Sequence, residues 1–176
     1  MKSSVREMYE SDSANVNLSP LQCMRPDLRE RYTAILERYG VAPERIHLEI
    51  TEQSVGDNSL VEQQISELRA GGFLFSLDDY GSGYSNLTRV KRYPFVNIKL
   101  DMEVVWDYFR DRDELLPTLV RAFKDMRYSV TAEGIETAAM ADAMVEIGCD
   151  FLQGYYFSQP LPVEQFAEKY APRENT

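Results

Sequence analysis

The side chains of this sequence best suited to chemistry are polar residues that close short apolar runs: Asn17, Glu49, Asp78, Asp79, Lys99, Glu133 and Gln153. Four of the seven are carboxylates, and carboxylates that share a site repel one another unless a divalent cation sits between them. The chain has one histidine, His47, and two cysteines, Cys23 and Cys149, which excludes a zinc ribbon, a multi-histidine metal site and a disulfide framework. A metal here is held by oxygen, and hard oxygen donors point to Mg²⁺ or Mn²⁺. Such ions polarise a phosphoryl oxygen and lower the pKa of a bound water, and a pair about 4 Å apart can clamp both the attacking and the leaving oxygen. Phosphodiester hydrolysis fits that chemistry. Lys99 then has two jobs open to it, holding the attacking water or neutralising phosphate charge. An enolase-like site with Lys99 as base and the carboxylates on Mg²⁺ is the competing reading, but it leaves the aspartate pair and Gln153 together without a use.

Each residue taken singly has a duller explanation. Asp78-Asp79 ahead of Tyr80-Gly81-Ser82-Gly83 is good turn chemistry. Glu133 and Glu136 with Thr137 can prepare a helix N-terminus, where acidic side chains suit the dipole. Lys99 can be a solvated charge and Gln153 a backbone-satisfying amide. Convergence at successive strand ends favours the site over these separate accounts. His47 is read as a hydrogen-bonded core residue, and Cys23 and Cys149 as buried thiols. Trp106, Tyr108 and Phe109 are read as packing rather than as a base-stacking platform, and Arg89, Lys91 and Arg92 as a solvated helix face.

The elements that must position these groups follow from hydrophobic period. Strands are predicted over Asn15–Leu18, Ile46–Ile50, Phe73–Asp78, Val96–Lys99, Ser129–Glu133 and Asp150–Gln153. Period-two alternation sets Ile46, Leu48 and Ile50 opposite His47, Glu49 and Thr51, and the later strands repeat the pattern. Helical stripes run between them, over Pro26–Tyr39, Leu60–Leu68, Ala139–Ile147 and after Pro162, with Val104–Met126 kinked or split by Pro117. Alternating strands and helices predict a parallel sheet. A parallel sheet buried on both faces is nearly all apolar, so a polar row at the strand C-termini points to a (β/α)8 barrel mouth more than to a doubly wound sheet. Six strands are two short of eight.

The length of 176 residues suits one domain, and a formal net charge of −10 argues against a nucleic-acid polymer or an anionic membrane surface as partner. No apolar stretch approaches the roughly 20 residues of a membrane span, and a cytoplasmic address is expected.

Six stretches closely resemble, in order, the motifs of the EAL-domain cyclic di-GMP phosphodiesterases: Val16-Asn-Leu-Ser19, Leu48-Glu-Ile-Thr-Glu52, Leu77-Asp-Asp-Tyr-Gly-Ser-Gly-Tyr-Ser85, Asn97-Ile-Lys-Leu-Asp101, Ala132-Glu-Gly-Ile-Glu-Thr137 and Gln153-Gly-Tyr-Tyr156. The resemblance implies an α/β fold, a TIM-like barrel of the EAL type, that linearises cyclic di-GMP to pGpG with two Mg²⁺ or Mn²⁺ ions. It implies that Asn17, Glu49, Asp78, Asp79 and Glu133 hold metal, and that Lys99, Glu133 and Gln153 serve the attacking water. Glu52 is similar to a glutamate that steadies the loop Tyr80 to Asn86, a loop that implies a homodimer, and Glu136 matches a glutamate near the substrate. The family's Glu-Ala-Leu strand lies upstream of the Asn-Leu-Ser strand and has no counterpart here. Residues 1–14 are therefore expected to be a lead-in, 15–170 a partial EAL domain with about six of eight strands, and 171–176 a tail. The parent protein is expected to be the enzyme and the 176 residues alone inactive or nearly so. The alternative is a degenerate EAL-like module that binds cyclic di-GMP or a protein without hydrolysis.

Overall fold

The computed structural model describes residues 13–51, 59–83 and 87–170. Six strands form one sheet: β1 (Ala14–Asn17), β2 (Ile46–Thr51), β3 (Leu74–Tyr80), β4 (Asn97–Leu100), β5 (Ser129–Ala132) and β6 (Phe151–Leu152). Their order in the sheet is their order in the chain, and each is parallel to the next. Helices make the crossovers: α1 (Pro20–Cys23), α2 (Leu28–Tyr39), α3 (Ser59–Ala70), α4 (Leu87–Arg92), α5 (Met102–Asp111), α6 (Leu115–Asp125), α7 (Ala138–Ile147) and α8 (Val163–Tyr170). A doubly wound sheet reverses its strand order at a switch point; this one never does. It is an incomplete TIM-like barrel, with six described strands where the closed fold has eight.

Register explains how one sheet face becomes core and the other becomes a site. Leu48 pairs with Phe75, Ile50 with Leu77, Ile98 with Val130 and Leu100 with Ala132, and every one of these eight side chains is at most 2% exposed. Val61, Ile65 and Leu68 of α3 and Leu116, Val120 and Phe123 of α6 belong to the same core. Fully burying a side chain of this size contributes about 1.5–3 kcal/mol. The opposite face carries Asn17 beside Glu49, Thr51 beside Asp78, and Lys99 beside Thr131. The polar row inferred from period two is therefore a row on one surface.

The element ends differ from expectation in instructive ways. Strand β5 stops at Ala132 and β6 at Leu152, so Glu133 and Gln153 lie one residue past their strands. Their amides still bond to the neighbouring strand, Glu133 to the Leu100 carbonyl at 3.2 Å and Gln153 to that of Ala132 at 2.9 Å. Helix α2 starts at Leu28 with Asp27 as its cap, not at Pro26. The stretch containing Pro117 is two helices, but they part at Arg112, whose φ of 54° ends α5. Pro117 falls in the first turn of α6, where its missing N–H is harmless. Helix α1 escaped the periodicity argument because it is only four residues long; Ser19 and Gln22 hold it with a reciprocal capping box.

Candidate active site

Lys99 occupies the centre of the polar face. Its Nζ lies 2.7 Å from Glu49 Oε1, 2.8 Å from Asp78 Oδ1 and 2.7 Å from Glu133 Oε1. An ammonium has three N–H donors, and all three are used on carboxylates from three different elements. The lysine side chain is 4% exposed, so this is a buried charge cluster rather than a surface ion pair. Burial by itself would pull the ammonium's pKa down; the Glu133 charge, with hydrogen bonds that Lys99 donates to Asp78, Glu133 and Glu49, outweighs it and holds Lys99 above the ordinary lysine range. In this arrangement Lys99 is a fixed positive charge held by three carboxylates.

The aspartate pair needs a local distortion. In a regular strand, successive side chains point to opposite faces, so Asp78 and Asp79 would not both face the site. Between Leu77 and Tyr80 the register with β4 shifts, and Asp79 takes a left-handed φ of 55°. A bulge of this kind re-aims a side chain. It brings Asp79 to Asp78 and Glu133, with ligand oxygens of all three within 4.8 Å of one another. Burial raises the Asp79 carboxyl pKa, and the nearby Asp78 and Asp101 charges raise it further. Burial likewise raises Glu133, against the opposing pull of Lys99.

The donor set fits a divalent cation on its own chemistry. Asp78, Asp79 and Glu133 offer only oxygen, in a pocket that already gathers positive charge in the form of Lys99. Burial pushes the thiol of Cys149 up to about 12, with Asp150 adding to it, and raises that of Cys23. Both cysteines are buried and free, and neither belongs to the group of Asp78, Asp79 and Glu133. His47, half-buried, has Nδ1 at 3.4 Å from Ser76 Oγ, and burial lowers its pKa against the pull of Glu49.

The remaining candidates sit around this centre. Asn17 shares Glu49's register position but is exposed. It is Asn15, a residue the motif reading passed over, whose Nδ2 donates to Glu49 Oε1 at 2.8 Å. Only period two, which puts Asn15 and Asn17 on the same face, could have pointed to it. Gln153 and Glu136 line a cavity of about 430 Å³ that Asp79 and Glu133 also line. Asp101, another residue left out of the expected site, lines it too. Glu52 and residues 84–86 of the loop from Tyr80 lie outside the described residues. Among the aromatics, Tyr108 and Phe109 pack against the core as expected, and Trp106 is 39% exposed.

Gly154 fixes the position of Gln153. A Cβ at residue 154 would run into the carbonyl and amide of Ile135, and those same groups bond the Gln153 carbonyl at 3.0 Å and the Tyr156 amide at 2.9 Å. Because the obstacle is backbone, Gly154→Ala is expected to cost about 3 kcal/mol and to displace Gln153. Urea denaturation checks the first effect; a cost under about 1 kcal/mol would show that the segment yields freely.

Comparison with known proteins places the arrangement. The family model for the EAL domain matches residues 1–160. The bifunctional diguanylate cyclase/cyclic di-GMP phosphodiesterase MucR of Pseudomonas aeruginosa is 33% identical over 161 residues, 89% of this chain and 23% of that protein. A solved PaMucR phosphodiesterase in complex with c-di-GMP superposes with a TM-score of 0.78 at 30% identity, covering 88% of this chain and 64% of that one. The Klebsiella pneumoniae BlrP1 manganese/cy-diGMP complex at pH 9.0 gives 0.79 at 27% identity, covering 89% and 42%. The chain spans about a fifth of the length of the curated relatives it matches. With six parallel strands in barrel order, an aspartate pair turned into the mouth by a bulge, and a family match over 160 of its residues, this chain belongs to the EAL domain family.

Proposed function

We propose that the protein carrying this chain hydrolyses cyclic di-GMP to linear pGpG in bacterial second-messenger signalling. The observation that carries the reading is the buried cluster of Lys99 with Glu49, Asp78 and Glu133, to which the bulge adds Asp79. In this reading Asn17, Glu49, Asp78, Asp79 and Glu133 hold two Mg²⁺ or Mn²⁺ ions, which when bound polarise the phosphoryl group and acidify a water. Lys99, protonated and immobile, orients the attacking water and stabilises charge that develops on the phosphoryl oxygens. Gln153 and Glu133 flank that water, Glu136 binds the nucleotide, and Glu52 steadies the loop Tyr80 to Asn86. Water adds oxygen to phosphorus, the bond to the 3′-oxygen breaks, and that oxygen leaves with a proton. A cytoplasmic address and a homodimer through the loop belong to the same reading. Among the described residues, no helix is long and apolar enough to cross a membrane.

The test is chromatography of cyclic di-GMP incubated with the protein and Mg²⁺ or Mn²⁺, with and without EDTA. Accumulation of pGpG that EDTA abolishes is the expected outcome. Tight binding without product would favour the non-hydrolysing module.

A further inference from the structure

Glu49 is held by one oxygen only. Its Oε1 accepts from Lys99 Nζ at 2.7 Å and from Asn15 Nδ2 at 2.8 Å, and among the described residues nothing donates to Oε2. The side chain is 7% exposed, so a largely buried carboxylate keeps its second oxygen open to a ligand. Asn15 comes from the edge strand β1, level with His47 and therefore one same-face position ahead of Glu49. Asn17, level with Glu49, makes no bond to it. Toward the strand N-termini the same face turns neutral, where Asn15, His47, Ser76, Asn97 and Thr131 line a cavity of about 140 Å³. Asn97 and Thr131 bond to each other at 3.0–3.1 Å and His47 to Ser76 at 3.4 Å, which leaves Asn15 as the one of the five that reaches the charged groups.

We propose that Asn15 is a positioning residue for the reaction: its amide fixes Glu49 with Oε1 on the lysine and so leaves Oε2 for the ion. The inference rests on the phosphodiesterase reading above, in which Glu49 holds metal. A carboxylate bonded by a single donor can rotate and offer either oxygen. Two donors, from β1 and β4, converge on one oxygen here and remove that freedom. The chemistry of the second donor matters as much as its place. An amide N–H is neutral, so it steadies the carboxylate without adding a second cation that would compete with a metal for it, as a lysine or arginine at this position would.

The test uses the protein carrying this chain. Asn15→Leu keeps the side chain's size and removes the donor; kcat on cyclic di-GMP at saturating Mn²⁺ is expected to fall about tenfold, while KM moves less than about twofold. Asn15→Gln restores the amide at an exposed position with room for one more methylene, and should recover most of that loss. Equal loss in the two variants would assign the effect to packing and overturn the proposal. Electron paramagnetic resonance titration of Mn²⁺ gives a readout apart from turnover. Asn15→Leu should weaken binding severalfold in the wild-type background and by less than about twofold in the Glu49→Ala background, because a residue that acts through Glu49 then has nothing left to act on. Additive weakening, or none in either background, would overturn the proposal. The rescue by Asn15→Gln needs no change at Glu49 and decides the matter if Glu49→Ala does not fold. A wild-type protein that turns over no cyclic di-GMP would overturn the proposed function instead; the Mn²⁺ titrations would still decide this inference.

Discussion

Replacing Lys99 by methionine is expected to damage stability and turnover together. Methionine keeps much of the lysine stem's volume but leaves Glu49, Asp78 and Glu133, each 2.7–2.8 Å from the lost ammonium, facing one another without a counter-charge. Breaking a buried ion pair by removing one partner costs about 3–5 kcal/mol, and here three partners are stranded. Urea denaturation in EDTA should show a loss of that order, and added Mn²⁺ should raise the variant's thermal midpoint more than the wild type's, since the ion supplies the missing charge. The rate effect follows from the same geometry. A fixed charge aimed at a developing oxyanion is worth about 10²–10³ in kcat, and because it acts mainly in the transition state, KM should move less. A stability loss below about 1 kcal/mol would mean that the ammonium does not hold the cluster together. Normal kcat with a raised KM would make Lys99 a substrate clamp.

The sequence made the arrangement legible wherever side-chain type and period sufficed. The alternation of Leu48 and Ile50 with His47 and Glu49 told which residues share a face, because the period of a strand is fixed by its pleat. It could not tell that Asp79 joins that face. Only a register shift and a left-handed backbone bring two successive aspartates to one mouth, and no local pattern announces a bulge whose partner strand lies some twenty residues on. Trp106 shows a related limit. Its neighbours Tyr108 and Phe109 do pack on the core, and a helix with an apolar stripe invites the same reading of every aromatic on it. What sets Trp106 apart is a bond to Gly134, 28 residues away, which a one-dimensional period does not contain. Asn15 was overshadowed by Asn17, the residue that the motif resemblance singles out, although it is Asn15 that reaches Glu49.

Asp78 and Glu133 are the two residues common to both groupings of the site: each accepts from Lys99, at 2.8 and 2.7 Å, and each belongs with Asp79 to the set whose oxygens lie within 4.8 Å of one another. Glu49 reaches Lys99 but is not in that set. Asp78→Asn retains an acceptor oxygen for the lysine while removing a negative charge from a crowded buried cluster, so folding stability should hold or rise slightly. Turnover should fall by about three orders of magnitude, which corresponds to about 4 kcal/mol of transition-state stabilisation. Glu133→Gln and Glu49→Gln should each reduce turnover by orders of magnitude as well. The three should separate on a readout other than activity: electron paramagnetic resonance titration of Mn²⁺ should show Asp78→Asn and Glu133→Gln weakening the ion's binding more than Glu49→Gln does. Near-normal turnover in any two of the three variants would exclude a shared metal site. Equal weakening of Mn²⁺ binding in all three would show that Glu49 holds the ion as directly as Asp78 and Glu133 do, with the lysine giving way when the site fills; unchanged Mn²⁺ binding in Glu49→Gln would remove Glu49 from the ligands proposed above.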